Sequence, residues 1–175
     1  LDCIPCFARQ ALEAADMATQ TPELREKIVR EVLRKSAEIP FDKSPPHMGM
    51  EIHRTIRGLL GDIDPYHSLK VKYNKKALEL YPAMKKILHH SADRLETAVR
   101  IAIAGNMIDF GVNSKQMKLD LKKVVEETLE QPLAINHLPE FKKAVESSER
   151  ILYLTDNAGE IVFDRILIEE FPDYR

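Results

Sequence analysis

Asp156 and Asn157 stand side by side in the segment Thr155-Asp156-Asn157-Ala158-Gly159-Glu160-Ile161-Val162-Phe163-Asp164. A carboxylate and an amide carbonyl are oxygen donors that suit a hard divalent cation such as Mg²⁺ or Mn²⁺. The apolar run Ile151-Leu152-Tyr153-Leu154 precedes them, and Ile161, Val162, Ile166, Leu167 and Phe171 follow at helical spacing before Pro172. Strand, tight loop and helix make the first half of a βα unit, and open α/β sheets bind ligands beyond the carboxyl ends of their strands. The first amides of the helix favour an anion such as phosphate, and Gly159 lets the backbone approach closely. Glu160 and Asp164 are four apart and share a helix face. Asp164, one turn deeper, reads as a surface acid or ion-pair partner. A plainer use has equal weight on pattern alone: Asp156 or Asn157 caps the helix and Glu160 complements its dipole.

Three other groupings carry reactive side chains. Ala104-Gly105-Asn106-Met107-Ile108-Asp109-Phe110-Gly111 sets Asn106 and Asp109 three apart after an apolar stretch. They can reach into a pocket, although local turn hydrogen bonds at a helix end are the commoner use of such residues. Cys3-Ile4-Pro5-Cys6 supplies two of the four ligands of a zinc site, or a dithiol. No second CxxC follows, and His47, His53 and His67 help only if the fold brings them near. Buried spectator thiols are at least as common. Arg54 and Arg57 lie within one helical turn, and Lys70 follows Asp64-Pro65-Tyr66. Such cations can bind an anionic group, though most are simply solvated. Lys72, Lys75, Lys76, Lys85 and Lys86 form a solvated face. GxGxxG, GxxxxGK[ST] and GxSxG are all absent.

Helices must position these residues. Periodicity predicts helices over 5–19, 22–38 (capped at Thr21-Pro22 and ended by Pro40), 48–60 (closed by Gly61) and 66–80, with Pro82 restarting or kinking the last. Ser91 caps a helix through Ala104, Gly105 then breaks the pattern, and two further helices cover 119–129 and 138–147. The expected organisation is a helical domain over 1–147 and, over 148–175, the first strand-loop-helix of an α/β domain. The strand run is apolar on both faces, as in a parallel sheet. Its backbone groups need partners, and Leu133-Ala134-Ile135-Asn136 is only a weak second strand. The remainder of the sheet is therefore expected outside this mainly α chain.

Composition narrows the function classes. Over 175 residues, 26 Lys+Arg against 28 Asp+Glu give a net charge of -2, which disfavours a nucleic-acid binder. Without Trp, and with five Tyr and six Phe, a base-stacking platform is not expected. No apolar run reaches the ~18 residues of a membrane span. Two cysteines and no secretory leader at Leu1 predict a reducing, cytoplasmic setting.

Taken together, Asp2-Cys3-Ile4-Pro5-Cys6-Phe7, Asp64-Pro65-Tyr66 with Lys70, Gly105-Asn106-Met107-Ile108-Asp109-Phe110-Gly111 and Thr155-Asp156-Asn157-Ala158-Gly159-Glu160 resemble the damage-control phosphatases. The likeness runs over the whole chain and is greatest to the stand-alone archaeal and bacterial group with an N-terminal CxxC. It implies a helical domain joined to a Rossmann-like α/β domain. It also implies a metal-dependent phosphatase of small phosphorylated metabolites, often sugar phosphates. In that family an Asp-Asn pair holds the cation (Mn²⁺, Mg²⁺, Co²⁺ or Ni²⁺), which falls on Asp156 and Asn157. A further Asp ligand and a Lys- and Gly-rich loop follow in the family, beyond Arg175. The resemblance places Asn106, Asp109, Glu160, Arg54 and Lys70 with the substrate. It leaves the role of Cys3 and Cys6 open, a second metal site included. The rival expectation is a helical binding or scaffold protein with a structural metal at the CxxC. Oligomeric state is not readable.

Overall fold

Proline and glycine set where the helices begin and end. The computed structural model describes residues 3–40, 42–61, 63–107 and 121–172. Its elements are α1 (Cys3–Ala18), α2 (Pro22–Glu38), α3 (Pro45–Leu60), α4 (His67–His89), α5 (Arg94–Met107), α6 (Leu121–Glu130), α7 (Leu138–Ser147) and α8 (Glu160–Ile168). Pro22 opens α2 and Pro45 opens α3, because a fixed φ and a missing N–H cost nothing in a first turn. The Thr21 hydroxyl makes no cap bond. Gly61 closes α3 at φ 69°, and its N–H returns to the Arg57 carbonyl.

Three expectations about helix ends are corrected. First, α4 runs unbroken through Pro82 to His89. Pro82 is exposed, where water can replace the lost amide bond at least cost. Second, Asp93 rather than Ser91 caps α5, its Oδ1 accepting the Glu96 N–H at 3.0 Å. The Ser91 hydroxyl instead meets Thr97 Oγ1 at 2.6 Å. Third, α5 continues through Gly105 to Met107, for a packing reason given below.

The chain forms two compact units, Leu1–Ser68 and Leu69–Arg175. In the first, α1, α2 and α3 pack on one another around Phe7, Ala11, Ala14, Ile28, Val32, Ile52 and Ile56. In the second, α5 lies against both α6 and α8. Tyr73, Ala77, Met84 and Leu88 of α4 join Ala98, Ile101 and Ala104 of α5 and Phe163 and Ile166 of α8 in its core. Burying a side chain such as Phe163 or Ile166 contributes about 1.5–3 kcal/mol.

The far end of α8 is tied down by charge. Arg94 grips Glu170 with two bonds of 2.8 and 2.7 Å. Glu169 accepts from Tyr81, Arg165 and Lys85. Burial pushes the Glu169 carboxyl up, but those three hydrogen bonds outweigh it and hold its pKa at about 2.

Among the described residues there is no β-strand. Ile151–Asp156 has no regular secondary structure; Leu152 and Leu154 are 85% and 82% exposed while Ile151 and Tyr153 are half-buried. The chain therefore covers one face of this run, where the sequence predicted burial of both. Leu133–Asn136 is loop. The compact units divide at Ser68, whereas the predicted domain boundary falls at 147/148, where a sheet layer was expected to begin. No helix among the described residues is long and apolar enough to cross a membrane.

Candidate functional site

Close packing of α5 on α8 builds the site. A Cβ on Gly105 would stand 2.7 Å from the Phe163 Cβ, so only glycine lets the two helices meet at this point. That approach sets Asn106, the next residue on α5, beside Glu160, the first residue of α8. Asn106 Nδ2 donates to Glu160 Oε1 at 3.0 Å, and Asn157 Nδ2 donates to Oε2 at 3.3 Å. Glu160 is 8% exposed, so both oxygens of a buried carboxylate are taken by amides. A carboxylate only accepts. The end of Asn157 that faces it must be the NH2, which turns the carbonyl oxygen away from Glu160.

The loop between these groups is anchored from a third helix. Gly159 sits at φ 88°, a conformation that favours glycine. Its N–H donates to Asn74 Oδ1 of α4 at 2.7 Å. Asp156 and Asn157 are exposed at the loop's tip. An exposed carboxylate and an exposed amide on adjoining residues are a donor set that fits a hard divalent cation. Among the described residues no group of three His, Cys, Asp or Glu could hold a metal, so the pair needs ligands from water, substrate or other residues.

The start of α8 is less open to anions than its sequence suggested. The Gly159, Ile161 and Val162 amides are spent on Asn74 Oδ1, the Asn157 carbonyl and the Gly159 carbonyl. Glu160 also places a carboxylate there. Asp164 is corrected from a surface acid to a buried one, 5% exposed, accepting the Tyr153 hydroxyl at 2.8 Å. Burial raises the Asp164 pKa against the Tyr153 hydrogen bond, and Glu160 and Asp156 add to the rise. A raised folded-state pKa means its contribution to stability is full below the unfolded value, 3.8, and is lost as pH rises through the folded value. Asp164→Asn keeps an acceptor for Tyr153 and removes the charge. It is expected to raise the melting temperature of the full-length protein at pH 7, with the gain vanishing toward pH 3.5; thermal melts at both pH values check this.

Of the other predicted residues, those described fall on α1, α3 and α4. Arg54 is exposed on α3 of the first unit, its guanidinium 2.8 Å from Glu51 Oε1. Lys70 is exposed on α4, one helical turn before Asn74. Asp109 lies outside the described residues. Cys3 and Cys6 occupy the first turn of α1; Cys3 packs on the unit's core, and Cys6 is exposed with the Gln10 amide 3.4 Å from its Sγ. His53 stands edge-on to Tyr66 at 5.9 Å, and no third metal ligand joins the cysteines among the described residues. The sequence reading missed Asn74. The available signal was faint: an asparagine, poor in helix interiors, inside what reads as a lysine-rich face.

Known proteins share this architecture. A family model described as the damage-control phosphatase ARMT1-like domain matches residues 1–175. A damage-control phosphatase of Archaeoglobus fulgidus is 33% identical over 96% of the chain. Damage-control phosphatase PH1575 of Pyrococcus horikoshii is 34% identical over 98%. An uncharacterized protein of Methanocaldococcus jannaschii is 32% identical over 99%. The crystal structure of the Pyrococcus protein, described as a DUF89 family protein, superposes with a TM-score of 0.81 at 31% identity over 97% of the chain. The chain spans 58% of the length of each of these relatives.

Proposed function

The chain belongs to the ARMT1-like damage-control phosphatase domain family, and from that premise we propose that the full-length protein hydrolyses small phosphorylated metabolites such as sugar phosphates, with Mn²⁺, Mg²⁺, Co²⁺ or Ni²⁺ as cofactor. Water adds to phosphorus, the ester P–O bond breaks, and an alcohol and inorganic phosphate leave. The observation that carries the reading is the buried Glu160 carboxylate, whose hold on the Asn157 NH2 leaves the amide oxygen turned from Glu160 at an exposed residue that adjoins exposed Asp156.

Asp156 and Asn157 would hold the cation. When bound, it supplies Lewis-acid polarisation of a phosphoryl oxygen. The chain's own part is orientation. Asn106 fixes Glu160, and Glu160 fixes Asn157, so one member of the donor pair is preset before any ligand arrives. This assigns Glu160 and Asn106 a supporting task rather than a direct hold on substrate. Lys70, Arg54 and Asp109 are proposed substrate contacts on the family likeness alone.

The same reading takes residues 148–175 as the start of a Rossmann-like α/β layer. Bare Leu152 and Leu154 support it, since a further layer of the protein would cover them.

The test uses the full-length, chelator-stripped protein with a panel of sugar phosphates and a chromogenic phosphomonoester, with and without each metal. Phosphate release that appears only with a divalent metal is the expected result. A folded protein that turns over nothing with any of the metals overturns the reading.

A further inference from the structure

We propose that Asn74 is a positioning residue for the Asp156–Asn157 pair, acting through the hydrogen bond it accepts from the Gly159 N–H; the inference rests on the metal-dependent reading above. Nothing in the motifs pointed to this residue. The contact is 2.7 Å and joins positions 85 apart in the chain. Asn74 is also the outlying member of the cluster, since the other contacts run between α5, the loop and α8.

Gly159 is buried, so an unpartnered N–H there would carry the full cost of its lost hydration. Its φ of 88° gives the loop a residue with unusual backbone freedom, two positions after Asn157. Something must choose one conformation from those available. Glu160 holds the side chain of Asn157, and Asn74 takes the Gly159 amide. The acceptor is itself well held. Its neighbour Tyr73 and the residue one turn on, Ala77, are both buried in the same core as Val162 and Phe163 of α8. A polar anchor on α4 thus meets a loop amide two positions after Asn157 and three after Asp156. Removing such a support commonly weakens a metal site 10–100-fold without touching a ligand.

The test measures Mn²⁺ binding to the full-length protein by electron paramagnetic resonance, without substrate, for the wild type, Asn74→Leu and Asn74→Asp. Hydrogen exchange of the 156–161 segment is followed in parallel. Asn74→Leu is expected to weaken Mn²⁺ binding about tenfold or more and to speed exchange at the Gly159 amide. Asn74→Asp, which keeps an acceptor oxygen, is expected to restore both. If Asn74→Leu does not fold, Asn74→Ala is read in its place. Wild-type protein that binds Mn²⁺ and an Asn74→Leu variant that binds it equally well overturn this inference and leave the phosphatase reading standing. Wild-type protein that binds no Mn²⁺, and none of Mg²⁺, Co²⁺ or Ni²⁺ by calorimetry, overturns both.

Discussion

Asp156→Ala in the full-length protein is expected to cut metal-stimulated phosphate release by roughly 10²–10⁴-fold, since metal stabilisation of a developing charge is worth several kcal/mol and each 1.36 kcal/mol is tenfold. Its melting temperature should stay the same or rise slightly. The two expectations follow from one geometry. Asp156 is exposed, and it adds to the rise in the pKa of buried Asp164. Deleting it therefore removes like-charge repulsion on Asp164. A residue held only for the fold would show the reverse pattern, with stability lost and activity falling in proportion. Asn157→Ala makes the contrast sharper. It removes the donor to Glu160 Oε2 as well as an oxygen, so it should cost both activity and stability. Steady-state assays with and without Mn²⁺, paired with thermal melts, separate the two variants. Full metal-stimulated turnover by Asp156→Ala would remove this residue from the site.

The helices were legible because their signals are local. Thr21-Pro22 and Gly61 act through their own φ and their own N–H, and the structure starts or stops helices at each, while α3 begins at Pro45, three residues before the predicted start at Met48. Pro82 and Gly105 carried the same signals and misled, because burial and neighbours decided them. Pro82 is exposed on a helix whose opposite side is held in the core by Met84 and Leu88, and packing overrode propensity. At the candidate site, residue type and adjacency single out Asp156 and Asn157. The use of Glu160 could not, since nothing local shows that a carboxylate will be buried between two amides 54 and 3 residues away. Asp164 misled for a related reason: its exposure depends on where Tyr153 returns to α8. Asn74 was the least legible, as a polar residue on a charged helix whose partner is a backbone amide with no sequence signature.

Gly105→Ala is expected to destabilise the full-length protein by about 1–3 kcal/mol, the usual cost of overpacking. The sign is the informative part. Alanine is favoured over glycine inside a helix by about 1 kcal/mol, so at an unhindered site this substitution stabilises. Gly58, within α3 and with open space where a Cβ would go, serves as that control, and Gly58→Ala should be neutral or stabilising. At Gly105 the added Cβ meets Phe163 Cβ at 2.7 Å and Cγ at 2.8 Å. Those atoms sit at the root of a fully buried ring and cannot swing aside, so α5 and α8 must separate. Separation pulls Asn106 from Glu160, and the carboxylate that orients Asn157 loses one of its two amide partners. Activity should therefore fall beyond what the unfolded fraction explains, and Mn²⁺ affinity should fall with it. Shortening the obstructing side chain gives the decisive comparison. Phe163→Leu alone leaves a gap and destabilises. Combined with Gly105→Ala it makes room for the new methyl, so the double variant should be more stable than the sum of the two single changes predicts. Urea midpoints for the four proteins measure that coupling. Strict additivity would mean that the methyl and the ring do not collide, and that the α5–α8 approach is not what sets Asn106 against Glu160.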